Sequence, residues 1–547
     1  MAGRHKKPSP AVAAPTGADP GAAAGGATPK PQTRVGQSSS AAGAATRNAE
    51  IETKLEIDPD TKLPALGKRR RLAAVGIVAA AEPESFELDA TYYDTGQLHL
   101  LRSRMTLRRR TGGHDAGWHL KLPAAAGART EVTLPLSAGD PGDVPAEFAA
   151  LVHGATRGFE LEPVARLRND RVIRNLLDAS GTTLIEVADD HVTATPLLPG
   201  AGAPSKWREL EAEIVAGNRD QLAATVDVLM SAGASKASSA SKLARALNFR
   251  PPAARRNKLA GEAVLGSIGW QRDLLIAADR GLREQLPGAL HDARLAARRI
   301  RAILSVYSPL FESAAPADLC SALRSFGSTL SDARDINEAR SRLLPQLDEE
   351  PEEYARVARA RLSSACDDRL TLALAGVRSA MDDPEYLTML RALDDLLDQP
   401  SLSRRAHRSA ATELPELISI SWLRLREQAD DALADPGDTA AVHKVRKTAK
   451  TVRYSTEAAI GALGSDAAVF ASALEEIQET LGEFQDAGYA AELLAELSIE
   501  PGTDGTAGFI FGRLHAFEQA MAHGAFDEFT DVWDRVEDGE LPADLLR

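Results

Sequence analysis

The chain has 547 residues, with 64 Lys and Arg against 78 Asp and Glu, a formal net charge of −14, 44% hydrophobic and 26% charged residues. That length allows two or three domains, the composition is that of a folding chain, and the acidic balance weighs against a general nucleic-acid binder while leaving room for local basic channels. Two cysteines, Cys320 and Cys366, are too few for a disulfide framework and have no metal-type CxxC spacing, which fits a reduced, cytoplasmic setting. No stretch reaches the roughly 18–20 apolar residues of a membrane helix, and the basic N-terminus is followed by Pro and Gly rather than by a signal-peptide core.

Residues 1–46 are rich in Ala, Gly, Pro and Ser with almost no large apolar side chains, so the expectation there is a disordered tail. Residues 47–234 read as a β-rich domain. Eight short alternating segments follow one another: EIETKLEI, LDATYYDT, MTLRRRT, GWHLKLP, RTEVTLPL, PVARLRN, TLIEVADDHV and KWRELEAEI. RTGGHDAGW supplies a glycine hairpin between two of them. After a helix around 219–232, the small and polar stretch SAGASKASSASK leads into an expected linker over 235–257. From 258 to 537 the pattern is that of long amphipathic helices.

Each strand carries a polar face of one kind. Glu50, Glu52, Lys54 and Glu56 alternate on the first strand, and Glu209, Glu211 and Glu213 on the last; Glu186 and Asp190 share a face between them. The basic faces are Arg108 and Arg110, His119 and Lys121, Arg129 beside Glu131, and Arg166 and Arg168. A strand facing water intersperses lysine among its acids, because adjacent like charges repel. Segregation by strand fits instead a closed lumen in which carboxylates hold Mg²⁺ or Mn²⁺ and the basic walls hold phosphates.

Glu50-x-Glu52-x-Lys54, followed in order by TYYDT, LRRR, WHLKLP, RTEV and WRELEAEI, resembles the CYTH superfamily of triphosphate tunnel metalloenzymes over about residues 48–215. The resemblance implies an eight-stranded antiparallel tunnel that binds a triphosphate substrate with Mg²⁺ or Mn²⁺ and either hydrolyses it or cyclises ATP. It implies Glu50, Glu52, Glu209 and Glu211 as metal ligands, with Glu186 and Glu213 as additions. Arg108, Arg110, Lys121, Arg129, Arg166 and Arg168 fall to the phosphates. The general base stays open between Lys54 and a carboxylate such as Glu131.

The helical part repeats. His291, Arg294, Arg298 and Arg301 have the same spacing as His443, Arg446, Lys450 and Arg453, and the histidines lie 152 positions apart (443 − 291). Asp335 and Asp486 recur at 151 (486 − 335), so the unit of duplication is about 150 residues. Helical geometry places each set of four on an arc of about 80° with no acid to relieve the repulsion, which suits an anion better than a metal. The two aspartates either balance these cations or cap their helices.

These segments resemble the CHAD domain over about residues 260–535. That implies two four-helix bundles related by pseudo-twofold symmetry, with a basic groove for inorganic polyphosphate formed by the eight residues just named. The fold class expected is therefore multidomain α+β, an antiparallel β-tunnel followed by a duplicated all-α domain. The function expected is inorganic triphosphate hydrolysis with polyphosphate binding, in the cytoplasm and in association with polyphosphate granules. The alternatives are an adenylate cyclase and a nonenzymatic polyphosphate-binding protein. The sequence leaves the oligomeric state open.

Overall fold

The computed structural model describes residues 45–123, 129–250 and 257–537. All but the last two residues of the expected tail lie outside the described residues, and Thr46 already opens the first strand. Two compact units divide the chain near residue 252.

The first unit is built on one antiparallel sheet. Its strands are β1 (Thr46–Glu50), β2 (Glu52–Glu56), β3 (Ala79–Ala80), β4 (Glu84–Asp94), β5 (Thr106–Thr111), β6 (Gly117–Pro123), β7 (Arg129–Leu134), β8 (Glu162–Leu177), β9 (Thr183–Pro196), β10 (Ser205–Ile214) and β11 (Ser235–Lys236). They are ordered β1-β7-β6-β5-β4-β8-β9-β10-β2-β11, with β3 beside β8. β1 and β2 are one run of chain interrupted at Ile51; β1 pairs with β7 and β2 with β10. The two ends of the sheet therefore meet on a single stretch of sequence, and the eight long segments close into a tunnel with no free long edge. At the β5–β6 hairpin, Gly112 has a φ of +81°, and a side chain there would collide with the carbonyl of Glu87.

Closure decides which way each strand faces. Leu55 and Ile57 point outward and pack with Ile185, Val187, Leu210 and Ala212 against Leu222, Val228 and Leu229 of an outer helix, Arg219–Ser231. That helix is the fifth in chain order. Before it come α1 (Arg70–Ala73), α2 (His99–Arg102), α3 (Ala146–Leu151) and α4 (His153–Thr156), so it is α5. Asn218 and Gln221 close its N-terminus as a reciprocal capping box.

The stretch expected as a linker does not act as one up to residue 249. Ser235–Lys236 forms β11, and Lys242–Ala246 forms a short helix, α6, capped by Ser241. Leu243, Ala244 and Leu247 pack with Ala90, Tyr92, Leu167, Val192, Ala194 and Trp207, so one end of the lumen is filled with apolar side chains. Small polar composition alone did not mark these residues as part of the tunnel, because the few that matter are Leu243, Leu247 and Lys242.

The second unit contains α7 (Ala260–Arg283), α8 (Ala289–Val306), α9 (Ala315–Gln346), α10 (Glu352–Asp382), α11 (Pro384–Asp398), α12 (Ala410–Ala434), α13 (Thr439–Leu463), α14 (Ser465–Ile499) and α15 (Gly505–Glu537). Helices α7–α10 and α12–α15 are the two copies of the repeat, and α11 stands between them. The copies do not keep separate cores. One core joins α7, α8, α11, α12 and α13 with parts of α9, α10, α14 and α15, and the second joins other lengths of α9, α10, α14 and α15. Alanines on α8 allow it to lie close to α13, where Tyr307 Oη donates to the Ser455 carbonyl (2.8 Å) and Ser455 Oγ to that of Ala302 (3.3 Å). Among the described residues no helix is long and apolar enough to cross a membrane.

Leu243 is 1% exposed, and its truncation to Ala leaves a cavity in the apolar end of the tunnel. Leu243→Ala is expected to cost the β unit about 2–5 kcal/mol, read as a lower urea midpoint for that unit while the helical unit's transition stays in place.

Candidate functional site

Register sets the polar rows inside the tunnel. Across β2, β10 and β9, Glu52 stands opposite Glu213 and Glu213 opposite Glu186. The next row inward is Lys54 opposite Glu211, and the one after it Glu56, Glu209 and Asp190. On the facing wall, Arg108 lies opposite His119, Lys121 opposite Glu131, and Glu50 opposite Arg129.

Most of these charges neutralise one another. Lys121 Nζ lies 2.6 Å from Glu50 and 3.8 Å from Glu131, and Arg108 lies 3.6 Å from Glu131. His119 Nδ1 lies 3.1 Å from Glu131 and Nε2 lies 2.8 Å from the Asp115 carbonyl. Burial pushes the Glu131 carboxyl up, but His119, Lys121 and Arg108 together hold it far below the usual carboxylate range. Lys54 donates to Glu211 and lies 3.3 Å from Glu52, which Arg129 approaches at 3.9 Å. Arg110 is buried and paired with Asp115; burial, Arg108 and Arg171 lower its guanidinium to about 9.

Two functional residues, Arg171 and Lys242, were not singled out from sequence. Arg171 makes a bidentate pair with Asp190 (2.7 Å for both bonds) and a third bond to Glu211 (2.7 Å). Lys242 of α6 enters the lumen between Asp190 (2.9 Å), Glu209 (2.8 Å) and Glu211 (2.7 Å). Asp190 lies on the Glu186 face of β9, four residues on, and Arg171 lies in period two with Leu167 and Asn169 on β8. Asp190 was read on that face from the sequence, and Arg171 could have been found by following β8 to its end. Nothing in the composition around Lys242 announces it.

Arg166 and Arg168 are not in the lumen. Arg166 makes a bidentate pair with Asp89 on the outer surface (2.6 and 2.9 Å), and Arg168 lies 3.5 Å from the same carboxylate; their side chains are 50% and 69% exposed. The reason is the apolar end. There the interior takes Ala165 and Leu167, so the charged alternates of β8 face water, and only beyond Asn169 does the inner face of β8 become polar.

The six glutamates expected as metal ligands fall into two groups. Asp190, Glu209 and Glu211 bring ligand atoms within 4.8 Å of one another, but their shared counter-ion is the Lys242 ammonium. Glu50 and Glu52 lie beside Lys121 (2.6 Å) and Lys54 (3.3 Å), and Glu213 stands between Glu52 and Glu186 in one row. Glu213 makes no ion pair among the described residues; burial first, then Glu50, Glu52 and Glu186, raises its carboxyl to about 8. Glu52 Oε1 is buried without a hydrogen bond. Three abreast glutamates in a half-buried row fit a hard divalent cation, for which carboxylate oxygens are the preferred ligands.

In the helical unit, α8, α9, α13 and α14 surround a groove of about 580 Å³ lined by Arg294, Arg298, Arg301, His443, Arg446 and Lys450 among others. Asp335 and Asp486 lie in the middle of α9 and α14, so they do not cap helices. Arg294 approaches Asp335 (3.8 Å), and Arg334 bridges Asp335 (3.1 Å) and Asp486 (3.4 Å). Cations remain in excess. Burial and the neighbouring arginines lower Arg294 and Arg446 to about 10. Lys450 is buried with no hydrogen bond or ion pair among the described residues, and burial with Arg446, Arg298, Arg294 and Arg334 lowers its amine to about 5. His291 is exposed and Arg453 turns to Glu457 and Glu475; neither is among the residues lining the groove.

Residues 48–247 match the CYTH domain family and residues 268–495 the CHAD domain family. Two uncharacterised proteins of Mycobacterium tuberculosis, from strains CDC 1551 and H37Rv, are each 34% identical over 502 residues, covering 87% of this chain and 94% of theirs. Among solved structures, PptA from Streptomyces chartreusis is 22% identical, covering 50% of this chain and 99% of its own, at a TM-score of 0.44. The CHAD domain from Ricinus communis is 20% identical, covering 53% and 96%, also at 0.44. A putative adenylyl cyclase from Hippeastrum, described as having a dominant triphosphatase activity, is 14% identical, covering 37% and 98%, at 0.22.

Two variants test these electrostatics. Glu213→Gln removes one of three abreast carboxylates, so it is expected to raise the metal-free thermal midpoint of the β unit by about 2–4 °C and to show a smaller Mn²⁺-dependent rise than the unaltered protein. Lys450 has a folded pKa below its unfolded value, so the unfolded chain binds the extra proton and this residue destabilises the fold at neutral pH. Lys450→Met is therefore expected to be more stable than the unaltered protein, with the difference in unfolding free energy largest near pH 5 and closing as the pH rises toward about 10.

Proposed function

Because the chain belongs to the family of proteins that join a CYTH domain to a CHAD domain, we propose that its tunnel hydrolyses inorganic triphosphate with Mg²⁺ or Mn²⁺ and that its helical groove binds inorganic polyphosphate. The observation that carries the first half is the opposition, within one closed lumen, of the glutamate row Glu52, Glu213 and Glu186 and a cationic wall of Arg108, Arg110, Lys121 and Arg171.

The cations would hold the substrate by exchanging partners. Lys121 already donates to Glu50 and Arg108 lies against Glu131, and phosphate oxygens offer similar acceptors with more charge. Lys54, between Glu52 and Glu211, supplies a cation where acidic and basic walls meet. A divalent ion held by Glu50, Glu52, Glu186 and Glu213 would neutralise phosphate oxygens and acidify a bound water. Glu131, held far below its usual range by three donors, is a poor proton acceptor; its role in this reading is to orient His119, Lys121 and Arg108. Fixed cations aimed at the bridging and leaving oxygens then stabilise charge as the phosphoanhydride breaks.

The apolar end of the lumen favours this reading over ATP cyclisation. Leu243, Tyr92 and Trp207 fill the space beside the polar rows at that end, which leaves no room there for a purine. The groove's excess of cations, Arg294, Arg298, Arg446 and Lys450 against Asp335 and Asp486, supports polyphosphate binding, and association with polyphosphate granules would follow from it.

Phosphate release from tripolyphosphate with Mg²⁺ or Mn²⁺ is the expected activity, and Glu50→Ala with Glu52→Ala should lower kcat by about 10²-fold or more. Undiminished turnover in that variant contradicts the metal assignment. Cyclic AMP from ATP in place of released phosphate would point to a cyclase, and no metal-dependent turnover of any triphosphate to a binding protein. Retention on immobilised polyphosphate should weaken with salt and weaken further in a variant combining Arg298→Ala with Arg301→Ala.

A further inference from the structure

The duplication of the helical unit is broken at one end of its basic groove. By the 152-residue offset Arg301 corresponds to Arg453 and Ser305 to Glu457. By the 151-residue offset that relates Asp335 to Asp486, Arg324 corresponds to Glu475 (475 − 324). The second repeat is neutral at this end, since Arg453 donates to Glu457 (2.8 Å) and to Glu475 (2.6 Å), and Glu457 also lies 2.9 Å from Arg299. The first repeat has a hydroxyl and a guanidinium where those two acids stand.

The cations there are left to each other. Neither Arg301 nor Arg324 has an ion pair among the described residues, and burial together with Arg324 lowers the Arg301 guanidinium below its ordinary value. The groove follows the same asymmetry. It is lined by Arg301, Ser305 and Arg324, whereas Arg453, Glu457 and Glu475 are not among its lining residues. A merely solvated helix face would have no reason to extend the cavity toward one copy alone.

Resting on the polyphosphate reading above, we propose that the groove is one-sided: a linear polyphosphate runs from the central Arg294, Arg446 and Lys450 toward α9 and is anchored by Arg301 and Arg324, while Glu457 and Glu475 close the symmetry-related end to anions. The chain of duplicated helices thus binds a ligand that is itself repetitive in only one placement. Two equivalent ends would allow the anion to slide across the pseudo-axis; neutralising the cations at one end removes half of those placements.

The test is binding of the full chain to sodium polyphosphate of a single length, by calorimetry at several salt concentrations. Arg324→Ala should weaken binding about 10-fold, the loss of one charge-assisted contact, and reduce the slope of log K against log salt by about 0.7. Arg324→Lys should retain the slope. Glu475→Ala should leave binding undiminished. Arg324 is exposed, so the thermal midpoint checks that none of these changes acts through folding. Equal losses in Arg324→Ala and Glu475→Ala, or no loss in Arg324→Ala, overturn the one-sided groove and leave polyphosphate binding intact. No binding by the unaltered protein overturns both.

Discussion

Charge cannot be left unpaired inside a closed barrel, and that constraint organises the β unit. Closing the sheet on one interrupted strand turns the alternating face of residues 50–56 inward, together with the acids of β9 and β10 and the bases of β5, β6 and β8. Burying that many ionised groups is tolerable only where each finds a partner. Lys242 shows the rule most plainly: three carboxylates converge, and α6 brings one ammonium to them. Glu213 shows where pairing stops, and the same place is where a cation would be most welcome.

The helical unit uses the opposite arrangement. Its groove keeps cations together without enough acid to neutralise them, and Lys450 is driven toward its neutral form as a result. Such a site is a store of repulsion that an anion relieves. The tunnel exchanges partners when it takes a ligand, whereas the groove gains partners it lacked. Both behaviours suit condensed phosphates, and they differ in how binding should depend on salt and pH.

Much of this was legible in the sequence because period two and period 3.6 are strict. All eight strand segments form, the lumen receives Glu50, Glu52, Lys54, Arg108, Arg110, Lys121, Glu131, Glu209 and Glu211, and the 152-residue offset of the two histidines marks the true repeat. What failed was the assumption that a charged strand face always points inward. At the apolar end the interior selects Ala165 and Leu167, and Arg166 and Arg168 are turned out to Asp89. Lys242 was hidden because one lysine in a run of Ser and Ala carries no periodic signal; only the converging carboxylates give it meaning. The mingled cores of α7–α15 were hidden too, since amphipathicity states that a helix has a buried face and not which helix covers it.

On this account the divalent cation sits at the row of Glu52, Glu213 and Glu186 beside Glu50, with Lys242 a permanent counter-ion to the other acids. A crystal structure with Mn²⁺ and a non-hydrolysable triphosphate analogue, with the metal located by its anomalous scattering, tests it most directly. The account predicts the manganese peak against Glu52 and Glu213, with Lys242 still on Asp190, Glu209 and Glu211. A peak among those three residues with the Lys242 side chain displaced would contradict it.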